Sequence, residues 1–253
     1  MTAAFDPRTH QARPDELAGR VIAITGASDG VGRAVAIACA QHGAKVILLG
    51  RSERKLSAVH AQIESASPAA EPTIAVLDLE NALAPDYDRL ASAVLERFGR
   101  LDGLLHNAAM VGELAPIEHY DVPTWCRVLQ VNLTAAFALT QVLLPALKQS
   151  SDASVLFTSS SVGRQGRAYW GAYAVSKFGV EGLSQVLAAE LENISAIRVN
   201  ALNPGPVRTR MRAQAYPAGN PASWPPPEAV TGPYLALLGP ASRGVTGGSF
   251  DAQ

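Results

Sequence analysis

Short runs of consecutive apolar residues alternate along this chain with longer stretches whose apolar positions recur at helical spacing. Val21-Ile22-Ala23-Ile24 is the first such run. An apolar run this short, with no polar alternation, reads as a strand buried on both faces. It ends in Thr25-Gly26, and an Ala- and Val-rich stretch from Val31 to Gln41 follows, closing at His42-Gly43 as a helix C-terminus does. The same reading predicts strands over Lys45–Leu49, Thr73–Leu77, Leu101–Leu105, Ser154–Thr158 and Ala196–Leu202. It predicts helices over Ser52–Glu64 (with Ser52 as cap), Tyr87–Phe98, Thr124–Lys148 and Ala172–Leu191. Successive parallel strands need crossover helices, so the pattern predicts an α/β fold with a doubly wound parallel sheet.

A length of 253 residues permits one large α/β domain or two small ones, and no linker interrupts the alternation before residue 205. The expected division is an N-terminal extension over 1–19 and a single domain over 20–253. Within that domain a loop over about 209–230 carries Pro217, Pro221, Pro225, Pro226 and Pro227. So many prolines predict irregular backbone, either a functional lid or a variable surface loop. With 48% apolar and 17% charged residues the chain is not disordered. A net charge of -1 offers no attraction to nucleic acid or an anionic membrane, so neither is an expected partner. Cys39 and Cys126 are expected to be buried thiols, with no metal site, because no ligand cluster accompanies them. The first 20 residues lack the apolar core of a signal peptide, and no uninterrupted apolar run approaches the ~18 residues of a membrane span. A cytoplasmic protein is expected.

Thr25-Gly-Ala-Ser-Asp-Gly-Val-Gly32 joins the first strand to its helix. Gly26 permits a sharp turn, Gly30 a close backbone approach to a pyrophosphate, and Gly32 tight packing of helix on strand. The helix N-terminus presents unpaired N–H groups to phosphate. With its G-x3-G-x-G spacing and the ordered motifs that follow it, the chain resembles the short-chain dehydrogenase/reductase superfamily, from about Arg20 to Phe250. The stretch Phe157-Thr-Ser-Ser-Ser-Val-Gly-Arg-Gln-Gly166 and the ending Phe250-Asp-Ala-Gln253 look most like a bacterial subgroup of oxidoreductases called YciK-like. The resemblance implies a Rossmann-type sheet of about seven parallel strands, the last near Gly248–Phe250. It also implies contacts to a nicotinamide dinucleotide cofactor from Gly26, Ser28, Asp29, Gly30, Val31 and Gly32.

Gly50-Arg51-Ser52 ends the second strand, where an acidic residue would accept from a ribose 2′-OH. Arg51 suits a 2′-phosphate instead, which favours NADPH/NADP. Asp29, whose charge lies near the same pocket, argues the other way and keeps NADH/NAD as a candidate. By resemblance, Asp78 and Leu79 contact adenine, and His106-Asn107-Ala108-Ala109 stands for the family's N-N-A-G. Asn107 and Ala108 are retained, whereas Ala109 adds a methyl beside the cofactor. His106 is expected to be packed or hydrogen-bonded rather than a catalytic base.

Tyr173-x3-Lys177 places a phenol and an ammonium on one helical face. A phenol titrates near pH ~10, and a neighbouring ammonium lowers that value, so the pair can exchange a proton with a carbonyl or alcohol. Ser160 lies 13 residues before Tyr173, among three consecutive serines. The family serine precedes a glycine by three, which selects Ser160 through Gly163. The resemblance adds Asn132 as the fourth catalytic residue, and Pro204, Gly205, Val207 and Thr209 as the corner against the nicotinamide. Tyr173 and Lys177 also contact the cofactor.

The resulting expectation is an NAD(P)H-dependent oxidoreductase acting on a carbonyl or alcohol small molecule. The alternatives are a 3-oxoacyl-carrier-protein reductase, a non-catalytic nicotinamide-binding redox sensor and, more remotely, a methyltransferase. Arg208, Arg210 and Arg212, with Arg164 and Arg167, read either as a solvated basic face or as a site for an anionic or acyl-carrier-linked substrate. The helices Thr124–Lys148 and Ala172–Leu191 are apolar on more than one face, which predicts a homodimer or homotetramer.

Overall fold

In the computed structural model, which describes residues 5–253, seven strands form one parallel sheet. They are β1 (Val21–Thr25), β2 (Lys45–Gly50), β3 (Thr73–Val76), β4 (Gly103–His106), β5 (Ser154–Thr158), β6 (Arg198–Asn203) and β7 (Ser249–Asp251). Their spatial order is β3-β2-β1-β4-β5-β6-β7. The eight α-helices are α1 (Gly30–Gln41), α2 (Glu53–Ala66), α3 (Ala84–Phe98), α4 (Val122–Leu129), α5 (Ala135–Lys148), α6 (Gly171–Leu191), α7 (Arg210–Ala215) and α8 (Thr231–Leu238). The Rossmann-type fold expected from the alternation of elements is the one observed.

Each face of the sheet carries its own apolar layer. On one side Val35, Cys39, Leu56, Ile63, Tyr234 and Leu237 meet Ile22, Ile24 and Leu48. On the other Leu139, Leu143, Leu147, Leu187 and Leu191 meet Ala23, Leu104, Val155 and Phe157. Strands covered on both faces have no solvent side, which is why they read as unbroken apolar runs. The segment before residue 20 packs against this body: Leu17 is fully buried, and Phe5 meets Phe250 edge-on at 5.9 Å.

Three expectations are corrected. The helix predicted over Thr124–Lys148 runs from Val122 but is interrupted by a π-helical turn, Gln130–Thr134. This stretch is also long and apolar enough to cross a membrane by length and composition, which uninterrupted runs did not reveal. One face of it, with Leu139, Leu143, Ala146 and Leu147, packs on the sheet, while Val122 and Phe137 are exposed. The proline-rich stretch is not wholly irregular, for it holds 3-10 turns at Pro221–Ser223 and Pro227–Val230 and leads into α8. That helix has no polar face and so no amphipathic signal; its Tyr234, Leu237 and Leu238 are fully buried. Of the cysteines, Cys39 is buried and Cys126 is exposed.

One buried polar cluster ties α8 to the sheet. Arg198 in β6 pairs with Asp152 at 3.2 Å and donates to the carbonyls of Leu237 (3.1 Å) and Gly239 (3.0 Å) and to the Ser242 hydroxyl. Asp152 also receives Arg20 and Arg243, at 3.2 and 3.1 Å. Burial disfavours the Arg198 charge, and Asp152 offsets that cost. Replacing Arg198 by Met removes one donor from each of two carbonyls, which keep Ser154 and Ser242, and weakens the pairing of a buried carboxylate. Because Arg20 and Arg243 still pair with Asp152, the expected loss is about 1.5–3 kcal/mol of folding stability, read as a lower denaturant midpoint.

Candidate active site

Between β1 and β4 the strand order reverses, so the loops leaving their carboxyl ends part and open a crevice. A cavity of about 620 Å³ lies there. Thr25, at the end of β1, holds its two walls together. Its hydroxyl accepts from the N–H of Asn107 (2.9 Å) and of Ala108 (3.0 Å) and donates to the Leu105 carbonyl (3.3 Å). The motif reading named Thr25 without giving it this role. Gly26 and Gly30 both adopt positive φ, +67° and +52°, and both line the cavity. Gly32 does not line it; a Cβ there would strike Asn107 Nδ2 and the Gly26 carbonyl, so this glycine serves packing. Ala109 lines the cavity with φ outside the left-handed region, so its methyl imposes no backbone strain.

Ser28, Asp29, Val31, Arg51, Asp78, Leu79, Asn107 and Ala108 line one end. Arg51 is 71% exposed and lies 3.9 Å from Glu80, leaving its guanidinium accessible. Asp29 caps α1 by accepting from Gly30 N–H at 2.8 Å. Its other oxygen lies 3.6 Å from Lys55 and 3.8 Å from Arg210. These two cations offset the charge that argued against a phosphate. Asp78 accepts from Glu80 N–H and Asn81 Nδ2, which shapes the turn after β3. The glycine turn, the accessible Arg51 and the cation-flanked Asp29 fit a dinucleotide with a phosphorylated ribose.

At the opposite end lie Ser160, Tyr173 and Lys177. Ser160 follows β5, while Tyr173 and Lys177 share one face of α6. A Cβ at Gly163 would fall 2.8 Å from Lys177 Cβ, so only glycine lets the serine loop close on the helix. Burial pushes the Tyr173 phenol up to about 12, opposed by a hydrogen bond with Ser160. Burial also lowers Lys177 to about 8, opposed by the charge of Glu181. The ammonium donates to the Thr158 carbonyl at 2.6 Å and sits 5.7 Å from the Tyr173 ring. The expected lowering of the phenol by this ammonium is therefore outweighed by desolvation in the protein alone.

Glu181, one turn beyond Lys177, was not anticipated. It is buried and accepts from Ser159 (2.5 Å), Arg164 (3.1 Å) and Ser249 (2.7 Å), binding the serine loop and β7 to α6. Asn132 sits in the π-helical turn and does not line the cavity. It instead exchanges hydrogen bonds with the Met110 backbone, at 2.8 and 2.9 Å, and donates to Ser176 on α6 at 2.9 Å. His106 is stacked on Phe157, bonded to Thr140 at 2.8 Å, and pushed down to about 3 by burial, so it stays neutral.

Pro204, Gly205, Val207 and Thr209 line the remaining wall. The Gln253 amide donates to the carbonyls of Pro204 (2.6 Å) and Pro206 (3.2 Å), holding this corner. Thr209 caps α7 by accepting from Arg212 N–H at 3.1 Å. The arginines do not form one basic face. Arg164 is engaged by Glu181, Asp251 and the Phe250 carbonyl, and Arg208 does not line the cavity. Arg210 and Arg212 do line it.

Residues 20–219 match the family model described as short chain dehydrogenase. The chain belongs to the short-chain dehydrogenase/reductase family. It is 47% identical to the uncharacterized oxidoreductase YciK of Escherichia coli K12 over 244 residues, 96% of each chain. A solved short chain dehydrogenase from Pseudomonas syringae superposes with a TM-score of 0.95 at 54% identity, covering 96% of this chain and 98% of that one. One from Shigella flexneri 2a, complexed with NADP, gives 0.93 at 46% identity, covering 95% and 100%. This short-chain dehydrogenase/reductase is thus an NAD(P)-dependent oxidoreductase acting on small molecules, and neither the carrier-protein reductase nor the redox sensor is favoured.

Glu181→Gln removes the charge that favours the ammonium, so the Lys177 titration should move below about 8. NMR of the lysine side-chain nitrogens, followed against pH, reads this directly.

Proposed function

We propose that this short-chain dehydrogenase/reductase interconverts a carbonyl and an alcohol with NADP(H), using Tyr173 as proton donor and acceptor. The observation that carries the reading is the convergence of Ser160, Tyr173 and Lys177 on one wall of a cavity whose other end is the Gly26–Gly30 turn. Arg51, accessible beside Asp29 whose charge Lys55 and Arg210 offset, supports NADP(H) over NAD(H). The related Shigella protein's complex with NADP supports the same choice. The cofactor supplies or accepts hydride when bound.

The protein's own part is proton handling and orientation. Ser160 and Tyr173 hold the substrate oxygen from two sides. As that oxygen gains negative charge, the Tyr173 phenol donates its proton to it and Lys177 stabilises the phenolate that forms. Burial keeps the phenol protonated in the protein alone, so it stands ready as the donor in the reductive direction. Asn132 acts as a positioning residue, fixing the backbone at Met110 and, through Ser176, the turn that bears Tyr173. The free Cys39 and Cys126 thiols support a reducing, cytoplasmic setting.

We further propose two-fold assembly through α5 and α6. Phe137, Val175, Phe178 and Val186 on these helices are all about half exposed, between 45% and 56%. Light scattering should return a dimer or tetramer, and a monomer at micromolar concentration removes the assembly reading.

Nucleotide titration followed by turnover on ketones and aldehydes tests the chemistry. Tyr173→Phe should lose at least about 10²-fold in kcat while keeping its NADPH affinity; undiminished turnover refutes the role. Arg51→Asp should weaken NADPH relative to NADH by about tenfold or more, and an unchanged ratio refutes the assignment to NADP(H).

A further inference from the structure

Five cations line the cavity: Arg51, Arg127, Lys177, Arg210 and Arg212. Four have protein partners. Arg51 faces Glu80 at 3.9 Å, Arg210 faces Asp29 at 3.8 Å, Arg127 donates to Thr124 at 2.8 Å, and Lys177 donates to Thr158 at 2.6 Å. Arg212 differs. Among the described residues its guanidinium has no ion-pair partner, and its Nε is buried without an acceptor. Its terminal nitrogens make no hydrogen bond to the described residues either, so a cation on the cavity wall keeps its donors free for a ligand.

The surroundings of Arg212 indicate what it awaits. Its guanidinium lies 3.8 Å from the centre of the Tyr216 ring and 5.1 Å from that of Trp224. Contact with ring faces orients the group without consuming its N–H donors, which lie in the guanidinium plane. Tyr216 is fixed in turn, because its hydroxyl accepts from Arg167 at 2.7 Å. Trp170 leans on Tyr216 at 5.8 Å and on Tyr173 at 5.6 Å. A chain of aromatic contacts thus runs from the phenol to the guanidinium, with Trp170 and Tyr173 on the cavity wall and Tyr216 behind it.

We infer that Arg212 anchors the substrate through a carboxylate, which an apolar segment separates from the carbonyl placed at Tyr173. The inference rests on the oxidoreductase reading above and adds the substrate class. A planar carboxylate matches the edge formed by the two terminal guanidinium nitrogens, which make no hydrogen bond to the described residues, in a bidentate pair. Val111, Trp170 and Met211, which pack together on the cavity wall, suit an apolar spacer rather than a polyol. Of Arg208, Arg210 and Arg212, the arginines first read as a possible anionic site, Arg212 is the one left to serve, because Arg208 lies outside the cavity and Arg210 already faces Asp29.

Calorimetry on the protein saturated with NADP tests this without requiring turnover. The probes are straight-chain carboxylates of six to ten carbons, chain lengths taken as roughly spanning a site of this size, with the matching primary amides and alkyl phosphates. Carboxylates should bind about 10–100-fold more tightly than amides. Arg212→Gln should abolish that preference while leaving amide and NADP binding unchanged, and Arg212→Lys should restore part of it. Equal binding of acid and amide by the wild type, or no binding of either, overturns the inference. So does an equal loss for both in Arg212→Gln, the mark of a residue that only braces the loop. Alkyl phosphates binding more tightly than carboxylates overturn the carboxylate assignment in favour of a phosphate monoester. Failure of NADP itself to bind is a different result, and strikes the oxidoreductase reading instead.

Discussion

Parallel strand pairing forces all seven strands to end on the same edge of the sheet, and the chain must cross a face to begin each new strand. The crossovers cover both faces and dry the core. The shared edge then collects the loop after β1, the serines after β5 and the Pro-Gly corner after β6. Between β1 and β4 the order reverses, so neighbouring loops turn apart rather than packing together. The Thr25 hydroxyl fixes how far apart they stand by tying one loop to the other. Nothing in the active site could be held in register without that edge.

Dryness is also the chief electrostatic influence. It pushes Tyr173 up to about 12 and Lys177 down to about 8, each toward its neutral form. A hydrogen bond from Ser160 and the charge on Glu181 work against these shifts. Desolvation outweighs these partners at both groups, and in so dry a site a positive charge arriving in the cavity acts strongly on the phenol. Glu181 links this balance to architecture, since the same carboxylate holds Ser159, Arg164 and Ser249.

Charge at the two ends of the cavity is handled differently. At the β2 end, Asp29 is flanked by Lys55 and Arg210, and Arg51, paired with Glu80 only at 3.9 Å and without a hydrogen bond, stays accessible to a phosphate. At the other end Arg212 rests among aromatic rings with its donors unspent. In both places the distinction lies between a cation already satisfied by the protein and one that is not. Counting arginines along the chain cannot draw it.

Periodicity along the chain was enough to determine the alternation of buried strands and helices, and with it the sheet type. The i, i+4 geometry of a helix was enough to bring Tyr173 and Lys177 together, and the glycine spacing to mark the first turn. These are local properties, set by neighbours a few residues apart. What depended on distant parts of the chain was not legible. The π-helical turn at Gln130–Thr134 aims Asn132 at Met110 and Ser176 rather than into the cavity. The helix α8 gave no periodic signal because it is apolar on every side. Whether Asp29 repels a phosphate was decided by Lys55 on another helix and Arg210 far along the chain, and Arg212 was set apart from Arg208 by the rings it lies against. Such questions are settled by which groups meet after folding, because the energy of a charge depends on its solvent and partners and not on its place in the sequence.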